Sequence, residues 1–84
     1  MILVEVYSKH DCHLCDQAKG VLRDLQRRHP FELREIIIQE GDEYFASYSE
    51  RVPVITINQE FAFQYRVPVG EFMAKLRSLS SQHR

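Results

Sequence analysis

Surplus positive charge, long apolar runs and abundant cysteine are all missing from this chain of 84 residues. Eleven Lys and Arg face twelve Asp and Glu, for a formal net charge of −1. A nucleic-acid or anionic-membrane partner needs a concentrated positive field, so neither is expected. Nothing approaches the roughly 18 consecutive apolar residues of a membrane span. The N-terminus carries no basic segment leading into an apolar stretch with a small-residue cleavage site, so a cytoplasmic location is expected. Internal repeats, low-complexity tracts and linkers are absent as well. The chain reads as one domain over residues 1–80 with a polar tail at 81–84. With 44% of its residues hydrophobic, such a domain can build a core without covalent staples.

Two cysteines, Cys12 and Cys15, make up the whole thiol inventory. A bridge across so short a loop constrains little of the unfolded chain, which makes it a poor structural staple. In a cytoplasmic setting such a pair more often serves redox or metal chemistry.

The first apolar run, Ile2 to Tyr7, is short and rich in β-branched residues, and reads as a buried strand. Ser8 to Asp11 is a polar loop. Leu14, Ala18, Val21, Leu22 and Leu25 then recur at helical spacing, an amphipathic helix of about sixteen residues. It ends near His29 because Pro30 cannot continue it. Phe31 to Ile38 is a second strand. Asp42 and Glu43 favour the start of a short helix with Tyr44, Phe45 and Tyr48 facing inward. Val54–Ile57 and Phe61–Tyr65, separated by three residues, form an antiparallel hairpin with Asn58 in its turn. Phe61, Phe63 and Tyr65 should share one face of that strand, packed on the core. Pro68 opens a last helix carrying Val69, Phe72, Met73, Leu76 and Leu79. The order β-α-β-α-β-β-α gives an α/β fold with a four-stranded mixed sheet and three helices. Its first two strands are parallel through a right-handed crossover, and helices cover both faces.

Cys12-His13-Leu14-Cys15 falls where the first loop enters the long helix. First-turn N–H groups have no internal acceptor and carry about half a positive charge, so a thiolate there is stabilised. Cys15, one turn deeper on the same side, can attack a mixed disulfide on Cys12 and release the reduced substrate. Lys9 could add positive charge near the thiolate or meet an anionic group on a substrate, or be an ordinary solvated lysine. Asp11 faces solvent or helps cap the helix. His13 can donate a hydrogen bond to the thiolate, or be a plain loop residue. Zinc is an alternative reading of the cysteine pair, but tetrahedral zinc needs four ligands and the histidines at 10, 13, 29 and 83 do not have a usual spacing for it. Two unreactive core cysteines are a further alternative.

Tyr7-Ser8-Lys9, two variable residues and the Cys-x-x-Cys together resemble the active-site segment of glutaredoxins. Arg51-Val52-Pro53-Val54 is similar to the Val-Pro segment of the thioredoxin superfamily. The Cys-His-Leu-Cys wording is similar to a compact glutaredoxin-like family. The resemblance implies a thioredoxin-like, glutaredoxin-type fold and a thiol–disulfide oxidoreductase with catalytic Cys12 and Cys15. It also implies a cis Val52–Pro53 bond beside the cysteines and a Val52 backbone that pairs with an extended substrate strand. Partners would be a disulfide-bearing protein or a low-molecular-weight thiol, plus an external electron donor; no bound cofactor is needed. Where such proteins carry a Gly-Gly-Asp-like turn for glutathione, this chain has Arg66-Val67-Pro68-Val69-Gly70-Glu71. Weak glutathione binding is therefore expected. The rivals are a thioredoxin-fold binding module that seldom cycles, and a metal or iron–sulfur site shared between two chains through Cys12.

Overall fold

β-Branched runs settle at the centre of the sheet. In the computed structural model, which describes residues 1–82, β1 (Leu3–Ser8) lies between β2 (Glu32–Ile37) and β3 (Val54–Ile57), and β4 (Glu60–Gln64) forms the far edge. β1 pairs parallel with β2 and antiparallel with β3, which pairs antiparallel with β4. The helices are α1 (His13–Arg28), α2 (Phe45–Tyr48) and α3 (Val69–Gln82). The expected element order and mixed sheet are therefore present.

The main core lies on the sheet face that carries Val4, Val6, Ile55 and Ile57, against Leu22 and Leu25 of α1 and Phe72 and Leu76 of α3. Phe31 meets Phe72 edge-on at 5.6 Å between ring centroids, a favoured aromatic geometry. α1 stops as Pro30 requires: the His29 N–H closes the last turn on the Leu25 carbonyl at 2.9 Å. Gln26 then donates to the Phe31 carbonyl at 2.7 Å, which fixes the passage into β2. Lys19 ties α1 to β2 by an ion pair with Glu35 at 2.8 Å. Glu35 is the main reason the Lys19 pKa is raised.

Several details differ from the sequence reading. Leu14 is 49% exposed, although its spacing places it in the apolar stripe; Cys15, one residue on, takes the inward position. The hairpin loop is two residues, Asn58 and Gln59, both at positive φ (52° and 69°), as a turn matching strand twist requires. The Asn58 side chain accepts from the Leu3 N–H at 3.0 Å, and its own N–H bonds the Leu3 carbonyl at 2.7 Å. β4 contains a bulge: Phe63 opposes Ile55 but Phe61 opposes Thr56, so the intervening Ala62 is an extra residue. Phe61 and Phe63 therefore face opposite sides; Phe63 packs on Phe72, while Phe61 and Tyr65 are 51% and 45% exposed. Finally, α3 runs through Gln82, into the segment 81–84 read as a polar tail. The rest of that tail, 83–84, lies outside the described residues.

Among the described residues, the second sheet face is covered by the short α2 segment and, at the strand ends, by Cys15 and Val52. Asp42 does not open that helix. Its carboxylate instead accepts from the Gln39 N–H at 2.8 Å, closing the turn before it. Phe45 and Tyr48 pack inward as expected. Tyr44 remains 39% exposed, stacked on Tyr48 with 5.7 Å between centroids.

Candidate redox site

β1 ends at Ser8, and a tight loop with Asp11 at φ 57° turns the chain into α1. Cys12 is the residue that caps α1. Its sulfur accepts the Cys15 N–H at 3.2 Å, and its carbonyl accepts the Asp16 N–H at 3.2 Å. Asp11 is exposed and does not serve as the cap considered for it. The reason is local: the left-handed turn at Asp11 delivers the next residue, with its sulfur, to the open N–H groups.

Cys12 and Cys15 are joined as a disulfide, with Cα atoms 5.2 Å apart. The two sulfurs are not equivalent. Cys15 is fully buried in a cluster with Tyr7, Ile38, Val52 and Val54, whereas Cys12 is half-buried at the margin of that cluster. Cys12 is thus the more accessible of the two residues.

The Val52–Pro53 peptide is cis. Val52 packs in the cysteine cluster and Pro53 is fully buried. Tyr65 donates its N–H to the Pro53 carbonyl at 2.8 Å, which pins the segment to the hairpin. Among the described residues, Val52 makes no backbone–backbone hydrogen bond. Lys9 is exposed and, with His10, Ile38 and Phe45, lines a shallow depression of about 350 Å³. Ile38 and Phe45 also touch the cysteine cluster, so Lys9 stands beside the site. His13 is exposed on the first turn of α1.

Of the residues singled out from sequence, Cys12, Cys15 and Val52 come together in one cluster, with Pro53 next to them in the chain. Lys9 and His13 stand at its rim. Arg51 turns away: its Nε donates to Gln64 at 2.8 Å and its guanidinium lies over the Tyr48 and Phe61 rings. Leu14, exposed between the two cysteines, is the residue that the sequence reading missed. The signal was available, since each helical step turns about 100° and an inward Cys15 sends its neighbour outward. Among the described residues, no three His, Cys, Asp or Glu side chains converge as metal ligands.

The model of the Glutaredoxin-like domain (DUF836) matches residues 3–77. The chain belongs to this glutaredoxin-like family. Its fold is also similar to two solved structures. Protein Ne2328 from Nitrosomonas europaea is 29% identical, with a TM-score of 0.77, over 88% of this chain and 89% of that one. Protein XcR50 from X. campestris is 27% identical, with a TM-score of 0.71, over 89% of this chain and 96% of that one. The glutaredoxin-like assignment and the thioredoxin-like fold agree with the paired cysteines at the strand-to-helix junction, and together they support a redox role at the level of the family. No helix among the described residues is long and apolar enough to cross a membrane.

Proposed function

We propose that this glutaredoxin-like protein is a dithiol thiol–disulfide oxidoreductase, with Cys12 as nucleophile and Cys15 as resolving thiol. The observation that carries this reading is the unequal exposure of two bonded sulfurs at the start of α1. In the reduced protein, the Cys12 thiolate attacks a substrate disulfide; one substrate sulfur leaves as a thiolate and a mixed disulfide forms on Cys12. Cys15 then loses its proton to solvent and attacks the Cys12 sulfur. The second substrate sulfur leaves, and the Cys12–Cys15 disulfide closes. Two electrons have passed from the cysteine pair to the substrate. An external dithiol or thiol returns them by the reverse exchange.

A protein disulfide is the substrate class that the surroundings favour. Leu14 offers an exposed apolar contact between the cysteines, and the Val52 backbone is open to an extended strand. Lys9 would meet an acidic group on the bound chain. Glutathione is the less suitable donor, because Pro68 lies where a family turn would offer N–H groups to a carboxylate, and proline has none. The test is trapping. Cys15→Ser should retain substrates as mixed disulfides on Cys12 that a reductant releases, and Cys12→Ser should retain none. Equal exchange activity in the two variants would overturn the assignment.

A further inference from the structure

The bulge at Ala62 carries Phe61 to the sheet face that α2 leaves partly open. There, Phe61 joins Tyr7, Tyr44 and Tyr48 around a cleft of about 390 Å³ whose lining also includes Glu5 and Thr56. We propose that this cleft binds an organic cation, an alkylammonium or guanidinium group.

Three observations support it. First, the walls are aromatic. Tyr7 lies 5.2 Å from Tyr44 and 5.1 Å from Tyr48, centroid to centroid, at 59° and 64°. These rings line a cleft together with a carboxylate, and cations are attracted to aromatic rings. The ring set already attracts one: the Arg51 guanidinium carbon lies 5.9 Å from the Tyr48 centroid and 5.2 Å from that of Phe61. Gln64 holds that guanidinium from the β4 side.

Second, the half-buried Glu5 has no ion-pair partner among the described residues. Arg34, its neighbour across β2, is engaged with Glu32 at 3.2 Å, and Arg51 with Gln64. A carboxylate in such a wall attracts a counter-charge. Its field is felt locally: after burial, Glu5 is the next cause of the rise of the Tyr7 phenol to about 12.

Third, Thr56 is only 4% exposed and its Oγ1 is buried without a hydrogen-bond partner. Buried hydroxyls without partners are uncommon, and this one belongs to a residue lining the cleft.

The intact protein allows a direct test, because it contains no tryptophan and three of its four tyrosines line the cleft. n-Butylammonium should change the tyrosine emission saturably, and n-butanol, of like shape and no charge, should not. Glu5→Gln should weaken the ammonium by about tenfold, the usual scale for losing a hydrogen bond to a charged group. Phe61→Leu removes one wall at a half-exposed position and should weaken it severalfold. Spermidine and a lysine-containing peptide separate the two sources of such a cation, a free polyamine and a protein side chain; the tighter binder identifies the source. Equal response to the alcohol, or unchanged affinity in both variants, would overturn the proposal. Thiol exchange plays no part in this measurement, so its result stands apart from the redox assignment.

Discussion

The backbone N–H of Cys15 points at the Cys12 sulfur across 3.2 Å, so the proposed nucleophile is itself the cap of the helix that carries its partner. The contact is made with the disulfide closed. In the reduced protein, the same N–H and its first-turn neighbours are the groups available to a Cys12 thiolate. A short pulse of iodoacetamide on reduced protein should therefore alkylate Cys12 at least about tenfold faster than the buried Cys15. Peptide mass spectrometry reads the ratio directly, and a preference for Cys15 would reverse the assigned roles.

Exposure divides two leucines of α1 that sequence spacing makes look alike. Leu22→Ala should destabilise the fold by about 2–5 kcal/mol, because a fully buried side chain leaves a cavity. Leu14→Ala should change stability by less than about 0.5 kcal/mol. It should slow exchange with a protein disulfide while leaving a small aromatic disulfide unaffected. Denaturant titration and the two exchange assays, run in parallel, check both halves.

Tyr7 makes stability depend on alkaline pH. Burial first, then the Glu5 carboxylate and the neighbouring phenols, pushes its pKa from 10.0 to about 12. The folded state thus holds a proton that the unfolded chain releases near pH 10. The contribution is fully present below pH 10 and is lost as pH rises through about 12. The loss is on the order of 2–3 kcal/mol. Tyr7→Phe should flatten the decline in unfolding free energy between those limits, and an unchanged pH profile would contradict the cause given.

The electron donor is tested by re-reducing the oxidised protein with glutathione and with a thioredoxin system, matched in potential. Glutathione should be at least about tenfold slower, the scale of one missing hydrogen bond to a carboxylate. Comparable rates would return the chain to glutathione-dependent chemistry.

Much of this was readable beforehand where local and global demands coincide. The extent of α1 follows from its apolar stripe and Pro30, and the cysteine position from the strand-to-helix boundary. The cis bond was expected only because Val52-Pro53 resembles a family segment; no spacing rule gives it. Leu14 was misread because a stripe defines a face and not where that face runs past the edge of the sheet. The aromatic cleft was hidden for a different reason. It draws on β1, α2, β3 and the hairpin, and its formation depends on a bulge that no glycine or proline announces. Asp42 was misplaced because a carboxylate serves a turn as readily as a helix start.

Ala62, opposed by no residue of β3, makes β4 a strand of two phases. Side chains alternate from one residue to the next, so a single added residue reverses the side taken by everything before it in the strand. The gap in pairing at Ala62, and not its side chain, parts the two rings. Exchanging Ala62 for another small side chain leaves both rings where they are. Deleting it would make Phe61 and Phe63 neighbours in a regular ladder, still opposite Thr56 and Ile55 and still on opposite faces. The hairpin can therefore lose this residue without turning either ring. Pairing Ala62 with Thr56 would instead turn Phe61 over onto the core face, so two changes that both abolish the bulge have opposite effects on the cleft.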